Sequence, residues 1–103
     1  MVRTRLELQA ELETLLGNSN VYYQPPENYK LKYPCIVYEL QRIALTHADD
    51  LSYKRNPQYQ ITAIYRDADS DLPDRLLNLS GTRLDRVFTS DNLYHAVVIL
   101  TIL

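Results

Sequence analysis

Tyr94-His95-Ala96-Val97-Val98-Ile99-Leu100-Thr101-Ile102-Leu103 decides the fold of this chain, because it is a strand-forming run that is apolar on both sides. Strand side chains alternate between the two faces of a sheet. Val97, Ile99 and Leu103 therefore point one way, and Ala96, Val98, Leu100 and Ile102 the other. Both faces need cover. A chain of 103 residues with two modest helical segments has material for one face, so the other is expected to stay uncovered and to meet a neighbouring subunit.

Working outward, the polar turn Ser90-Asp91-Asn92 predicts an antiparallel pair between Arg83 to Phe88 and the terminal run. Upstream, Ser80-Gly81 closes a second helix whose buried stripe is Leu72, Leu76 and Leu79, with Pro73 in its first turn and the polar turn Asp67-Ala68-Asp69-Ser70-Asp71 before it. Gln58 to Arg66 alternates, with Tyr59, Ile61, Ala63 and Tyr65 on one side, as a half-buried strand does. Tyr59 and Tyr65 are expected inside. Ala44 to Pro57 holds few apolar residues and is expected to be a long excursion away from the core. Cys35 to Leu40, opened by Tyr33-Pro34 and running on to Ile43, reads as an inner strand, and Asn20 to Gln24 as a short one ended by Pro25-Pro26. A polar connector joins these two.

At the start, Thr4 and Glu7 have the spacing of a capping box. Leu8, Leu12, Leu15 and Leu16 recur at helical spacing, and Gly17 suits a left-handed cap. Glu7, Glu11 and Glu13 are expected on the solvent side. The order helix, strand, strand, strand, helix, strand, strand predicts an α+β fold for the single domain 1–103. It is a mainly antiparallel sheet of about five strands with two helices packed on one face.

Composition narrows the function. A hydrophobic share of 46% with 23% charged residues is that of an ordinary globular domain, and a net charge of −2 gives no general attraction to nucleic acid. Met1-Val2-Arg3-Thr4-Arg5 leads straight into a charged amphipathic segment, so no signal peptide or membrane span is expected, and the chain should stay in the cytosol where it is made. The single Cys35 excludes an intrachain disulfide and should pack as a small hydrophobe. Nine of the ten aromatic residues are tyrosine, the ring that suits a wet interface.

Sites for chemistry are sparse. Asp67, Asp69 and Asp71 echo the opening of a calcium loop, but Leu72 stands where its glycine belongs and Asn78 where its closing acid belongs, so helix-favouring acids are the expected reading. His47 and His95 lie in unrelated segments, and His95 is expected to bond within the turn formed by Asp91 and Asn92. With Gly17 and Gly81 alone, no phosphate-cradling loop can be written. No catalytic residue, metal or cofactor is expected. Arg42, Lys54, Arg55 and Arg66 would form a basic rim if the excursion folded back, though solvated charge is the simpler reading.

Six segments nonetheless resemble, in order and spacing, the small tail-terminator or tail-completion proteins of long-tailed bacteriophages, also known as minor tail or minor capsid proteins. They are Val21-Tyr22-Tyr23-Gln24-Pro25-Pro26, Lys32-Tyr33-Pro34-Cys35-Ile36-Val37-Tyr38, Ala48-Asp49-Asp50 with Tyr53, Tyr59-Gln60-Ile61-Thr62, Asp67-Ala68-Asp69-Ser70 and Asp91-Asn92-Leu93-Tyr94-His95. The likeness covers nearly the whole chain and departs from the family at Ala68, where proline is commoner, and after His95, where the family is more polar.

The resemblance implies a ring, a homo-hexamer, seated on the completed tail tube at the tail-neck junction of the virion and assembled in the host bacterial cytoplasm. Its partners would be the tube protein and a neck or head-completion protein, with passive passage of DNA through its lumen and no membrane. Contacts to tube or neighbour are expected from Tyr22, Tyr23, Tyr29 and Tyr33 in the connector and from Asp49, Asp50, Tyr53, Lys54 and Arg55 in the excursion. Two alternatives stand beside it. One is a head-completion or neck adaptor joining portal to tail, and the other a small hydrolase or nuclease using His95 with Asp91.

Overall fold

A computed structural model describes residues 4–47 and 53–102, and for 42–47 and 53–56 the backbone alone. The elements are α1 (Arg5–Leu16), β1 (Val21–Tyr23), β2 (Cys35–His47), β3 (Tyr53–Tyr65), α2 (Leu72–Leu77), β4 (Thr82–Ser90) and β5 (Leu93–Thr101). They form one five-stranded sheet in the order β1-β2-β3-β5-β4, antiparallel except for the parallel pair β1 and β2. The α+β architecture read from the sequence is the architecture of the molecule, with both helices on the same face.

Local chemistry sets the ends of the elements. The Thr4 hydroxyl accepts from the Glu7 N–H at 3.1 Å, and Gly17 closes α1 at φ +87°, its N–H donating to the Glu13 carbonyl. A free donor and a free acceptor of the helix ends are thereby satisfied. Asp91 and Asn92 adopt φ of +54° and +62° between the paired residues Ser90 and Leu93, the left-handed geometry that a two-residue hairpin requires. Gly81 is fixed more tightly. Its φ is +85°, and a Cβ there would lie 2.6 Å from the Thr101 carbonyl oxygen.

The core lies between helices and sheet. Leu8, Leu12 and Leu16 of α1 and Leu72 and Leu76 of α2 pack on Tyr38, Tyr59, Ile61, Ala63, Tyr65, Ala96, Val98, Leu100 and Ile102. Tyr59 and Tyr65 are buried as expected, and so is Cys35, on the opposite face. The Arg75 guanidinium donates to the Leu15 carbonyl at 2.7 Å and ties α2 to the end of α1, while its Nη2 reaches Asp71 at 2.6 Å.

Two expectations are corrected. The outward side chains of the terminal run are not bare: Val97 and Ile99 are 1% and 2% exposed. β5 lies between β3 and β4, so Val97 is flanked in register by Thr62 and Arg86, and Ile99 by Gln60 and Arg83. Neighbours on the same face of a sheet stand close enough for their stems to close over an apolar side chain. The second correction concerns Ala44 to Pro57, expected as an irregular excursion. Its described backbone is paired strand, the ends of β2 and β3, continuing past a bulge between Leu40 and Arg42 as far as His47 opposite Tyr53. A ribbon of this kind needs backbone pairing rather than apolar content, so composition gave no sign of it.

Pro57 marks where that ribbon leaves the sheet. Its carbonyl accepts from Ile102 at the end of β5, and its missing N–H would point the same way, where no further strand requires it. Beyond Gln58, the register from Ile43 opposite Pro57 to His47 opposite Tyr53 is two-stranded, roughly 15 Å of ribbon at the usual strand rise. The molecule is accordingly elongated, 51 × 26 × 23 Å.

Candidate functional site

Three surfaces are built by this frame. The first is the edge strand β4. Of its nine residues only Thr82 is even half-buried, and Leu84, Val87 and Phe88 are 48%, 53% and 40% exposed. A bulge at Asp85 shifts the register, so Leu84 stands opposite Val98 and Val87 opposite Ala96, both on the helix face, while Phe88 stands opposite His95 on the other. By strict alternation Leu84 and Val87 would face opposite ways; the bulge puts them together. The helices leave them uncovered: α2 has six residues, and the turn that follows it meets β4 at its start, where the Thr82 hydroxyl donates to the Leu79 carbonyl at 2.8 Å.

The second surface is a groove of about 340 Å³ on the face away from the helices, between the connector and strands β2 and β3. Pro26 accepts a turn hydrogen bond from the Tyr29 N–H, and the Tyr22 and Tyr29 rings meet at 5.4 Å, which holds the connector over the sheet. Val37 and Ile64 line the floor, Tyr29 and Leu31 the wall, and Glu27 and Glu39 add two carboxylates. The third surface is the ribbon. Its paired backbone, residues 43–47 and 53–57, carries Lys54 and Arg55, and the acids Asp49 and Asp50 stand between the two segments in sequence.

The tyrosines chosen from sequence divide between these places. Tyr29 lines the groove, and the Tyr22 ring packs against it. Tyr23 turns toward the helices, with its ring 4.9 Å from that of Tyr38 and the Arg5 guanidinium 4.6 Å above it. It serves packing there. Tyr33 is half-buried, with the Arg66 guanidinium 5.6 Å from its ring. Tyr53, Lys54 and Arg55 lie on the ribbon backbone, and Asp49 and Asp50 lie outside the described residues. The basic rim does not assemble. Arg66 follows β3 at the end opposite the ribbon, eleven residues beyond Arg55, which is about 35 Å of extended strand.

Sequence reasoning missed a polar network under α1. The buried Tyr38 hydroxyl donates to Gln9 Oε1 and accepts from Arg5, and Gln9 Nε2 donates to the Val21 carbonyl at 3.1 Å. Gln9 thus joins α1 to β1 and β2. The only signal in the sequence was a glutamine and an arginine on the flank of the apolar stripe, and such residues usually face water.

His95 does not pair with Asp91. Its ring stacks on Phe88 at 4.7 Å and 8°, and its Nδ1–H donates to the Leu93 carbonyl at 3.2 Å, outside the turn residues expected to hold it. The acids of 67–71 are also engaged locally. Asp67 Oδ1 accepts from the Asp69 N–H, and the hydrogen bond from Arg75 holds the Asp71 carboxyl below the usual range. Burial pushes the Cys35 thiol up to about 12 and raises the Tyr38, Tyr59 and Tyr65 phenols, so none of these groups is readied as an anion at neutral pH. Among the described residues, no helix is long and apolar enough to cross a membrane.

Comparison with protein-family models and with curated proteins returns no match. The arrangement offers three surfaces for recognition: an open strand edge with apolar side chains on both faces, an acidic groove, and a projecting ribbon whose second strand carries Lys54 and Arg55.

Proposed function

We propose that this chain is a structural assembly protein of a long-tailed bacteriophage. Copies of it form a ring, a hexamer, that caps the completed tail tube, stops tube polymerisation and offers a new surface to the neck of the filled head. It works by assembly rather than catalysis, at the tail-neck junction, after folding in the bacterial cytoplasm. The observation that carries this reading is β4, a nine-residue edge strand exposed on both faces. It belongs to a chain that buries both sides of the neighbouring strand β5 from Ala96 to Leu100. Unpaired edges with apolar side chains invite another chain. The motif resemblance of the sequence supports a phage tail as the setting.

Ring closure follows when one patch of a subunit meets a different patch of the next and the rotation closes. A ring whose lower face matches the tube, and whose upper face does not repeat it, ends growth while creating a docking surface. The test is electron microscopy of particles assembled without this protein. Overlong or unjoined tails are expected; heads that leak DNA while tails end normally would instead point to a neck adaptor at the portal. Purified chain added to growing tubes should arrest their length, and tubes that elongate unchanged overturn the proposal.

A further inference from the structure

We propose that the acidic groove beneath the connector receives the basic ribbon of a second copy of this chain, residues 53–57 of one subunit seating against Glu27 and Glu39 of the next. This deepens the ring reading, on which it rests, by naming the two surfaces that meet.

The groove has the features of a receptor for a strand. Its floor is apolar, Val37 and Ile64, its wall carries the exposed ring of Tyr29, and none of its lining residues is basic among the described residues. An occupant should be elongated, carry an aromatic or apolar element and bring positive charge. Tyr53-Lys54-Arg55-Asn56-Pro57 meets all three conditions, on a backbone already held extended by pairing with residues 43–47.

The charge is unevenly divided along the chain. Residues 53–57 hold Lys54 and Arg55 with no acid, the hairpin's own acids, Asp49 and Asp50, standing ahead of them in sequence, and the whole chain is net −2. Opposite potentials on the two contact patches favour this pairing over others and speed encounter.

Geometry excludes a subunit from filling its own groove. The ribbon continues the line of β2 and β3 away from the sheet, and folding it back would break the rungs from Ile43 opposite Pro57 to His47 opposite Tyr53. The ribbon also has reason to seek a partner, since a two-stranded hairpin without a third strand or a covering layer is only marginally stable in water. The β4 edge is the poorer host, because Asp85, its one acid, is already paired with Arg86 at 3.0 Å, which leaves Arg83 to face Lys54 and Arg55. A contact between ribbon and groove is head-to-tail, the type that closes rings.

Charge reversal tests the contact. Two full-length variants are made, Glu27→Lys with Glu39→Lys, and Lys54→Glu with Arg55→Glu. Each is followed by sedimentation velocity over a concentration series, alone and mixed one to one, with circular dichroism melts to establish that each is folded. Each variant alone should self-associate about tenfold or more weaker than the natural chain. The equimolar mixture should regain association, because each reversed surface then finds its opposite. Natural affinity in both variants, or no recovery in a mixture of folded variants, overturns the groove contact and leaves the ring reading standing. A natural chain that stays monomeric both alone and in the presence of tail tubes overturns both.

Discussion

β4 and β5 are neighbours of equal length, nine residues each, joined by a two-residue turn, yet they differ in nearly everything that burial controls. From Ala96 to Leu100 every residue of β5 is buried, whereas from Arg83 to Ser90 every residue of β4 is exposed. Position in the sheet causes the difference. β5 lies between two strands, with its inward side chains in the core beneath the helix layer; β4 has one neighbour, and the turn after α2 meets its first residue. The contrast teaches that the apolar residues of this chain serve two ends. Those of β5 hold the monomer together, while Leu84, Val87 and Phe88 are available for a contact outside it.

The largest effect should come from cutting the buried strand. Leu100→Ala removes a side chain with no exposure from the centre of the core and is expected to cost about 2–5 kcal/mol in urea unfolding. A cost under 0.5 kcal/mol would erase the contrast. Gly81→Ala strikes the joint between the strands, where the Thr101 N–H donates to the Gly81 carbonyl at 3.0 Å. The added methyl meets backbone in a left-handed conformation, so a loss of about 1–3 kcal/mol is expected in the same measurement.

Alkali should separate buried from exposed in another way. The Cys35 pKa is raised in the folded chain from its ordinary 9.0 to about 12. The stability it contributes is therefore whole below pH 9 and is lost as pH rises through the window from 9 to 12. By pH 10 the loss should reach about 1 kcal/mol, and Cys35→Ala should flatten that part of the profile. The smallest effect on the monomer belongs to β4. Val87→Ser should move stability by no more than about 0.5 kcal/mol while weakening association with tail tubes in co-sedimentation. A variant that loses stability and keeps association would reverse the roles given to the two strands.

Much of the frame was legible because it is local. Thr4 and Gly17 cap α1 where their spacing placed them, Asp91-Asn92 turn the hairpin, and the alternation of Tyr59, Ile61, Ala63 and Tyr65 gives the buried side of β3. The candidate contact surfaces were legible only in part. Tyr22 and Tyr29 do meet in the connector, but Tyr23, one residue along the same strand, turns to the core, an outcome that depends on which face α1 covers. The ribbon was hidden because its two strands satisfy each other's backbone groups, a pairing between residues whose partners are set by the turn rather than by burial against the core. The pairing of Leu84 with Val87 depends on a bulge that no periodicity reveals.

The sequence by itself determined the elements, their order and the inward stripes of both helices, since caps, turns and periodicity act between residues close along the chain. Only the tertiary structure decided the strand order, and with it which apolar strand is buried and which lies open. Coverage depends on residues far apart in the chain, and Val97 and Val87 differ chiefly in how many strands stand beside them.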